Sequence, residues 1–173
     1  MRVFVSIEIP EKIKEKIKIV QEQLPEFIGK KIEKENLHLT LKFLGEISDE
    51  EAGKVRERLR RIRVPRFNLL SCNLGVFSPK MIRIVWMHLL GSELLQKTVD
   101  ESLKDFFPSE ERFMSHLTIG RVKHVRDRNE FLKSLEKISY EKFSFEVTSF
   151  KLMKSTLTHS GPKYDVLEEF HLG

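Results

Sequence analysis

Alternating apolar and polar positions mark two segments of the chain as β-strands. From residue 2 to residue 9, a valine or an isoleucine occupies every odd position. From residue 37 to residue 43, leucine or phenylalanine occupies the odd positions, and His38, Thr40 and Lys42 occupy the even ones. A period of two is typical of a strand that buries one face. The second strand is therefore predicted to present His38, Thr40 and Lys42 on its polar face.

Four other segments repeat their apolar residues at intervals of three or four, which predicts helices. They span residues 11–24, 48–62, 95–106 and 128–138. The first follows Pro10, which suits the first turn of a helix, and the second begins with Ser48 and Glu51 in the spacing of a capping box. Further apolar runs predict strands at residues 67–77, 82–89, 143–152 and 164–172. The chain is therefore predicted to be an α+β protein.

One short motif occurs twice. The segment NLHLTLKFLG contains His38 and Thr40, and the segment SHLTIGRV contains His116 and Thr118, 78 residues further on. The order strand, helix, strand, helix, strand is matched around both copies, which predicts an internal duplication of roughly 1–80 and 81–173 within a single bilobal domain. A duplicated unit that closes on itself brings its two equivalent strands together across a pseudo-twofold axis. One histidine from each half is then expected in a shared site.

The motif residues suit proton transfer on a small anion. Two imidazoles, each beside a hydroxyl on a strand stiffened by burial, can serve as an acid and base pair. A single histidine in a strand usually has a structural role, so the prediction depends on the repeat. No His-x-x-His, cysteine pair or carboxylate recurs in register with the motifs, and no phosphate-binding or dinucleotide fingerprint is present. We therefore expect no metal and no cofactor.

Composition adds limited information on partners and location. The 31 Lys and Arg residues exceed the 26 Asp and Glu residues, which suits an anionic ligand, but most charges lie in mixed Lys/Glu helices whose faces favour solvent. The single cysteine, Cys72, excludes an internal disulfide, and no signal peptide or membrane span is visible. A cytoplasmic protein is expected. Abundant Lys and Glu beside few Cys and Gln residues indicate a thermophilic origin.

The two motifs, with the opening MRVFVSIEIP and the closing LMKSTLTHSGPKYDVL, carry a family resemblance over essentially the whole chain. The sequence resembles the two-histidine phosphoesterases, specifically the RNA 2′,3′-cyclic phosphodiesterases, also called 2′-5′ RNA ligases. The resemblance implies a bilobal α+β fold in which two antiparallel sheets flank a central cleft and helices pack outside. It also implies metal-free hydrolysis of a 2′,3′-cyclic phosphate to a 2′-phosphomonoester. A strand with a 5′-hydroxyl that attacks the same cyclic phosphate would give 2′-5′ ligation in vitro.

Catalytic roles follow from the same resemblance. It makes His38 the proton donor and His116 the proton acceptor, although the pseudosymmetry of the motifs leaves open which histidine does which. The hydroxyls of Thr40 and Thr118 are expected to donate to the charge that builds on the phosphate oxygens.

Substrate contacts are expected from three neighbours of the motifs. Similar proteins often have an arginine at the position of Arg121, but strict alternation puts Arg121 on the face opposite His116, so a bulge at Gly120 is needed to re-aim it. Lys42 is expected to raise the positive potential beside His38. Phe43 corresponds to Arg121 in the repeat and is expected either to pack in the core or to stack on a base. Phe4 and Tyr164 are further candidates for the cleft.

Taken together, these features predict a monomeric, cytoplasmic, metal-independent phosphodiesterase. Its expected partner is an RNA or nucleotide with a 2′,3′-cyclic phosphate end, and no membrane partner is expected. Two alternatives remain open. The same fold could act on ADP-ribose cyclic phosphate or on 2′-5′ oligonucleotides, or the chain could be an RNA-end-binding module whose histidines only hold phosphate.

Overall fold

The computed structural model describes residues 1–173 and contains nine strands and four helices. In chain order these are β1 (Arg2–Glu8), α1 (Glu11–Glu22), β2 (Ile28–Lys31), β3 (His38–Glu46), α2 (Asp49–Arg60), β4 (Phe67–Val76), β5 (Ile84–Leu90), α3 (Glu93–Ser102), β6 (His116–His124), α4 (Arg128–Glu136), β7 (Ser144–Val147), β8 (Ser149–Thr158) and β9 (Gly161–His171). A 3₁₀ turn at Lys34–Asn36 precedes β3. None of the helices is both long and apolar enough to span a bilayer.

All nine strands belong to one antiparallel sheet. Its order is β7-β4-β5-β6-β3-β1-β8-β9, and β2 pairs with β6 beside this path. The two motif strands, β3 and β6, lie at the centre and are joined through one register pair, Leu39 with Leu117. The predicted α+β fold is confirmed, and the two predicted sheets are halves of a sheet that is continuous through this pair.

Strands from one predicted repeat pair with strands from the other. Strand β4, which precedes residue 81, pairs with β5, and β8, which follows it, pairs with β1. Each of two helices likewise packs on the motif strand of the other repeat: α1 packs on β6, and α3 packs on β3. The duplication itself stays a prediction, but the pairing shows that each half of the sheet is built from both halves of the chain.

The helices and the core follow the apolar pattern closely. Ser48 Oγ accepts from the Glu51 amide at 3.1 Å and Glu51 Oε2 accepts from the Ser48 amide at 2.7 Å, so the predicted capping box is confirmed. Ile17 and Val20 of α1 and Leu95 and Val99 of α3 are buried against the sheet. This packing leaves the opposite face of β3 and β6, where the histidines lie, free of helices.

Two features of the sheet differ from the prediction. Strand β2 was not expected because its residues are exposed and carry no alternating pattern. It lies so close to β6 that a Cβ on Gly29 would be 2.1 Å from the carbonyl oxygen of Arg121. The strand predicted at 143–152 is divided at Thr148, because β7 pairs with β4 while β8 pairs with β1 in the other half of the sheet.

Candidate active site

Each motif strand contains a β-bulge directly after its His-x-Thr motif. In β3, Thr40 pairs with Ser6 and Lys42 pairs with Val5, so the intervening Leu41 has no partner in β1. In β6, Thr118 pairs with Trp86 and Gly120 pairs with Val85, so the intervening Ile119 has no partner in β5. An extra residue inverts the alternation of the side chains that follow it. The residues beyond each bulge therefore exchange faces.

The exchange brings Phe43 and Arg121 onto the face that carries the histidines. Both side chains are exposed, Phe43 to 66%, and both line the same cleft as the two motifs. The bulge that Arg121 required is thus present, at Ile119 and Gly120. Phe43 is not a core residue, because the bulge at Leu41 turns its ring toward solvent.

The cleft has a volume of about 680 Å³ and lies over the junction of β3 and β6. Its lining includes both motif histidines and both motif threonines. The full lining consists of Arg2, Val3, Phe4, Lys30, Ile32, Glu33, Asn36, His38, Thr40, Phe43, Gly45, Glu46, His116, Thr118, Arg121, Ser155, Leu157, Pro162 and Tyr164. The antiparallel register through Leu39 and Leu117 sets His38 opposite Thr118 and Thr40 opposite His116. The two motifs are therefore related by a local twofold axis.

Both imidazoles are held by a backbone carbonyl two residues earlier in the chain. Nδ1 of His38 lies 2.7 Å from the carbonyl oxygen of Asn36, and Nδ1 of His116 lies 2.8 Å from that of Met114. A carbonyl oxygen only accepts, so each Nδ1 carries the proton and donates it. In the neutral ring, Nε2 is then the unprotonated nitrogen. Each histidine thus keeps Nε2 available for proton exchange.

The surroundings favour the neutral form of both rings. Burial lowers the pKa of His38, the bond to the Asn36 carbonyl opposes this, and the charges of Arg121 and Lys14 and the proximity of His116 lower it further. Burial also lowers the pKa of His116, with a small contribution from His88 in the same direction and an opposing one from the Met114 carbonyl.

Aromatic side chains fix the orientation of the histidine rings. The ring of His38 lies 4.9 Å from that of Phe4 and 4.9 Å, edge to face, from that of Tyr164. The ring of His116 lies 4.8 Å, edge to face, from that of Phe77. Burial raises the pKa of the Tyr164 hydroxyl, partly offset by Arg121. Packing of this kind limits the rotation of both imidazole rings.

The prediction that Lys42 binds substrate is wrong. The bulge at Leu41 turns Lys42 to the helix side of the sheet, where it is 2% exposed. Its Nζ lies 2.5 Å from Asp100 Oδ1 in α3 and donates to the carbonyl oxygen of Pro108 at 2.7 Å. Asp100 Oδ2 also accepts from the amide of Glu110 at 3.0 Å. Lys42 therefore forms a buried ion pair behind the cleft and does not line it.

Several cleft residues were not predicted from the sequence. Arg2 shares the polar side of β1 with Phe4, so the alternation of that strand offered a signal for it. Lys30 and Asn36 lie in the segment between α1 and β3, which has no pattern that would place it at a site. Lys30 pairs with Glu33 at 2.6 Å, whereas Arg2 and Arg121 make no ion pair. These two arginines are thus the cations of the cleft that remain available to an anion.

No group of three histidine, cysteine or carboxylate side chains lies close enough together to hold a metal ion. The four histidines outside the motifs, His88, His124, His159 and His171, do not line the cleft. The cleft brings together two imidazoles, two hydroxyls and two arginines, and imidazoles are groups that can transfer protons near neutral pH.

Comparison with known proteins gives a consistent set of matches. Residues 7–86 and 92–164 match the model of the family described as LigT like Phosphoesterase. The chain is 38% identical over 175 residues to the RNA 2′,3′-cyclic phosphodiesterase of Methanocaldococcus jannaschii, covering 98% of this chain and 100% of that protein. It is 36% identical over 178 residues to the protein of the same name from Thermotoga maritima, covering 98% of this chain and 94% of that protein.

A solved structure has the same architecture. The crystal structure of E. coli LigT complexed with 3′-AMP superimposes with a TM-score of 0.78 at 27% identity, covering 99% of this chain and 97% of that one. The superposition covers nearly the whole chain and so includes both halves of the sheet.

Proposed function

The chain belongs to the LigT-like phosphoesterase family, and from this premise we propose that it is a phosphodiesterase that hydrolyses RNA or nucleotide ends bearing a 2′,3′-cyclic phosphate to 2′-phosphomonoesters. One observation carries the proposal. Both His38 and His116 line one cleft, and each has Nδ1 tied to a carbonyl so that Nε2 is free to exchange a proton. Relatives that share more than a third of the sequence are named for this activity.

The proposed reaction is an acid–base catalysed displacement at phosphorus. Nε2 of neutral His116 takes a proton from a water molecule, whose oxygen forms a new bond to phosphorus. The bond from phosphorus to the ribose O3′ breaks, and Nε2–H of protonated His38 gives its proton to O3′. The 2′ ester bond remains. The anionic substrate raises the pKa of a neighbouring imidazole, so binding favours the proton that His38 must supply.

The remaining cleft residues are assigned to the phosphate and the base. The hydroxyls of Thr40 and Thr118 are proposed to donate to the non-bridging oxygens, where negative charge builds in the transition state. The planar guanidinium of Arg121 suits a forked contact with the same phosphate. The exposed ring of Phe43 offers a surface on which a base can stack. Support for these roles comes from the shared cleft.

The enzyme is proposed to act as a cytoplasmic monomer without metal or cofactor. The chain itself supplies both motif histidines to the cleft. Two imidazoles provide the acid and the base that the reaction requires. A 5′-hydroxyl that attacks the cyclic phosphate in place of water, with O3′ leaving in the same way, would give a 2′-5′ linkage in vitro.

The test is incubation of a short RNA ending in a 2′,3′-cyclic phosphate with EDTA present, with the 2′- and 3′-phosphate products resolved. His38→Ala and His116→Ala should each lower kcat by about 10²- to 10⁴-fold, the usual contribution of a positioned acid or base. His124→Ala, which changes an exposed histidine of β6 outside the cleft, is the matched control and should leave kcat unchanged. A 3′-phosphate product, or loss of activity in EDTA, contradicts the mechanism. Binding without turnover would favour an RNA-end-binding module.

A further inference from the structure

A buried glutamine of α1 contacts the back of the second motif strand. Gln21 is 5% exposed, and its side-chain Nε2 donates to the carbonyl oxygens of Ile32 and Ile119, each at 2.9 Å. Both hydrogens of the amide are thereby used. A buried donor group whose two hydrogens are both used has a defined orientation, and its loss removes one donor from each partner carbonyl.

Ile119 is the residue that forms the bulge in β6. Its carbonyl oxygen also accepts from the amide of Ile32 at 3.0 Å. The bulge carbonyl therefore receives two hydrogen bonds, one from the segment that precedes β3 and one from the side chain of Gln21. The Ile32 bond continues the register of β2 with β6, in which Lys31 pairs with Gly120, so these two bonds hold a residue that has no partner in β5.

The geometry of the cleft depends on this bulge. Arg121 shares a face with His116 and Thr118 only because Ile119 is the extra residue. The other carbonyl that Gln21 contacts, that of Ile32, lies four residues before Asn36, whose own carbonyl orients His38. Gln21 thus connects the segment that orients the first histidine to the bulge that aims Arg121.

We infer that Gln21 is a positioning residue for Arg121: it holds the β6 bulge from the helix side and so aims the guanidinium at the phosphate of the substrate. The inference rests on the proposed function, because it assigns Arg121 to the phosphate. Gln21 lies on the helix side of the sheet and is not part of the cleft lining. It acts through the backbone at Ile119 and touches no reacting atom.

The chain provides a matched control in α3. Gln96 is 6% exposed, close to the value for Gln21, but its side-chain nitrogen makes no hydrogen bond. Replacing either glutamine by methionine removes a buried amide and preserves most of the volume. Only the replacement at Gln21 removes donors to the bulge.

The experiment is a double-mutant cycle of Gln21→Met with Arg121→Ala, with Gln96→Met alongside, at a temperature where circular dichroism shows every variant folded. Gln21→Met should lower kcat/KM on the cyclic-phosphate RNA by about 10- to 100-fold, the scale of a misplaced contact group. In the Arg121→Ala background the same substitution should have an effect of less than about twofold, because the group that it aims is gone. Gln96→Met should leave kcat/KM unchanged.

Two results would overturn the inference. An equal loss from Gln21→Met in both backgrounds would make its role structural and independent of Arg121. An equal loss from Gln96→Met would attribute the effect to removal of a buried amide in general.

Equilibrium binding separates this inference from the proposed function. The affinity for adenosine 2′-monophosphate is measured by calorimetry in the same variants. Suppose that Gln21→Met lowers this affinity in the wild-type background but not in the Arg121→Ala background, and that the wild-type protein shows no turnover. That result would support the positioning role and reject the proposed reaction. A wild-type protein that neither binds this nucleotide nor turns over the RNA would overturn both.

Discussion

Leu39 and Leu117 face each other at the centre of the sheet, and they form the single register pair through which β3 and β6 are joined. Both side chains are fully buried on the helix side. Their immediate neighbours along the strands, His38 with Thr40 and His116 with Thr118, point to the opposite side and line the cleft. One apolar contact therefore sets the distance between the two motifs.

The first prediction concerns this contact. Leu117→Ala should destabilise the fold by about 2–5 kcal/mol, the usual cost of such a truncation in a core. It should also lower kcat by about tenfold or more, because the two motifs lose their common support. Leu59→Ala, in the buried face of α2, should cost a similar free energy of unfolding and leave kcat unchanged. The two variants are compared by urea denaturation and initial rates; equal kcat values would contradict the prediction.

The second prediction concerns pH. One histidine must be protonated and the other neutral, so kcat/KM should follow a bell-shaped profile. Burial lowers the pKa of both His38 and His116 below the usual value of about 6.5, so the maximum should lie on the acidic side of 6.5. The acidic limb reports protonation of the base, and the alkaline limb reports loss of the proton from the acid.

The profile of kcat should lie at higher pH than that of kcat/KM. The bound phosphate anion stabilises an imidazolium and so raises the pKa values in the complex. Both profiles are obtained from initial rates over a series of buffers of constant ionic strength. A kcat/KM maximum above pH 7 would contradict the assignment.

The third prediction concerns Arg121. Arg121→Ala should lower kcat/KM by about 10- to 100-fold, which corresponds to the loss of about one hydrogen bond to a charged group. Arg121→Lys should retain part of the activity, because it keeps the charge and loses the fork. Lys123→Ala, a neighbouring exposed cation of β6 outside the cleft, serves as the control. If all three variants lose activity equally, the effect comes from the general positive potential.

The fourth prediction concerns the buried ion pair of Lys42 and Asp100. Lys42→Met and Asp100→Asn should each destabilise the fold by about 3–5 kcal/mol, because each leaves a buried polar partner without its counterpart. The double variant Lys42→Met with Asp100→Asn should cost less than the sum of the single changes. Its kcat/KM should stay near that of the wild type, since Lys42 does not reach the cleft. Chemical denaturation gives the free energy of unfolding of each variant in the double-mutant cycle. A large rise in the KM of the Lys42→Met variant would contradict the prediction and indicate that Lys42 contacts the substrate.

The bulges explain both the accuracy and the error of the sequence-based assignment. Alternation along residues 37–43 correctly put His38 and Thr40 on one face, because these positions precede the bulge. The same alternation failed at Lys42 and Phe43, which follow it. In β6, Gly120 gave a signal that a bulge was possible, whereas Leu41 in β3 gave none. A charged residue such as Lys42 can also be buried when an acid such as Asp100 lies on the helix side of the sheet and pairs with it.

What the sequence by itself determined is local: the helices, most of the strands, the capping box and the pair of His-x-Thr motifs follow from spacing along short segments. What only the tertiary structure decided is long-range: which strands pair, where the bulges fall and which face Lys42, Phe43 and Arg121 occupy. The physical reason is that a bulge depends on partners far along the chain. The carbonyl of Ile119 is held by Gln21, 98 residues earlier, and no periodicity within either segment encodes that contact.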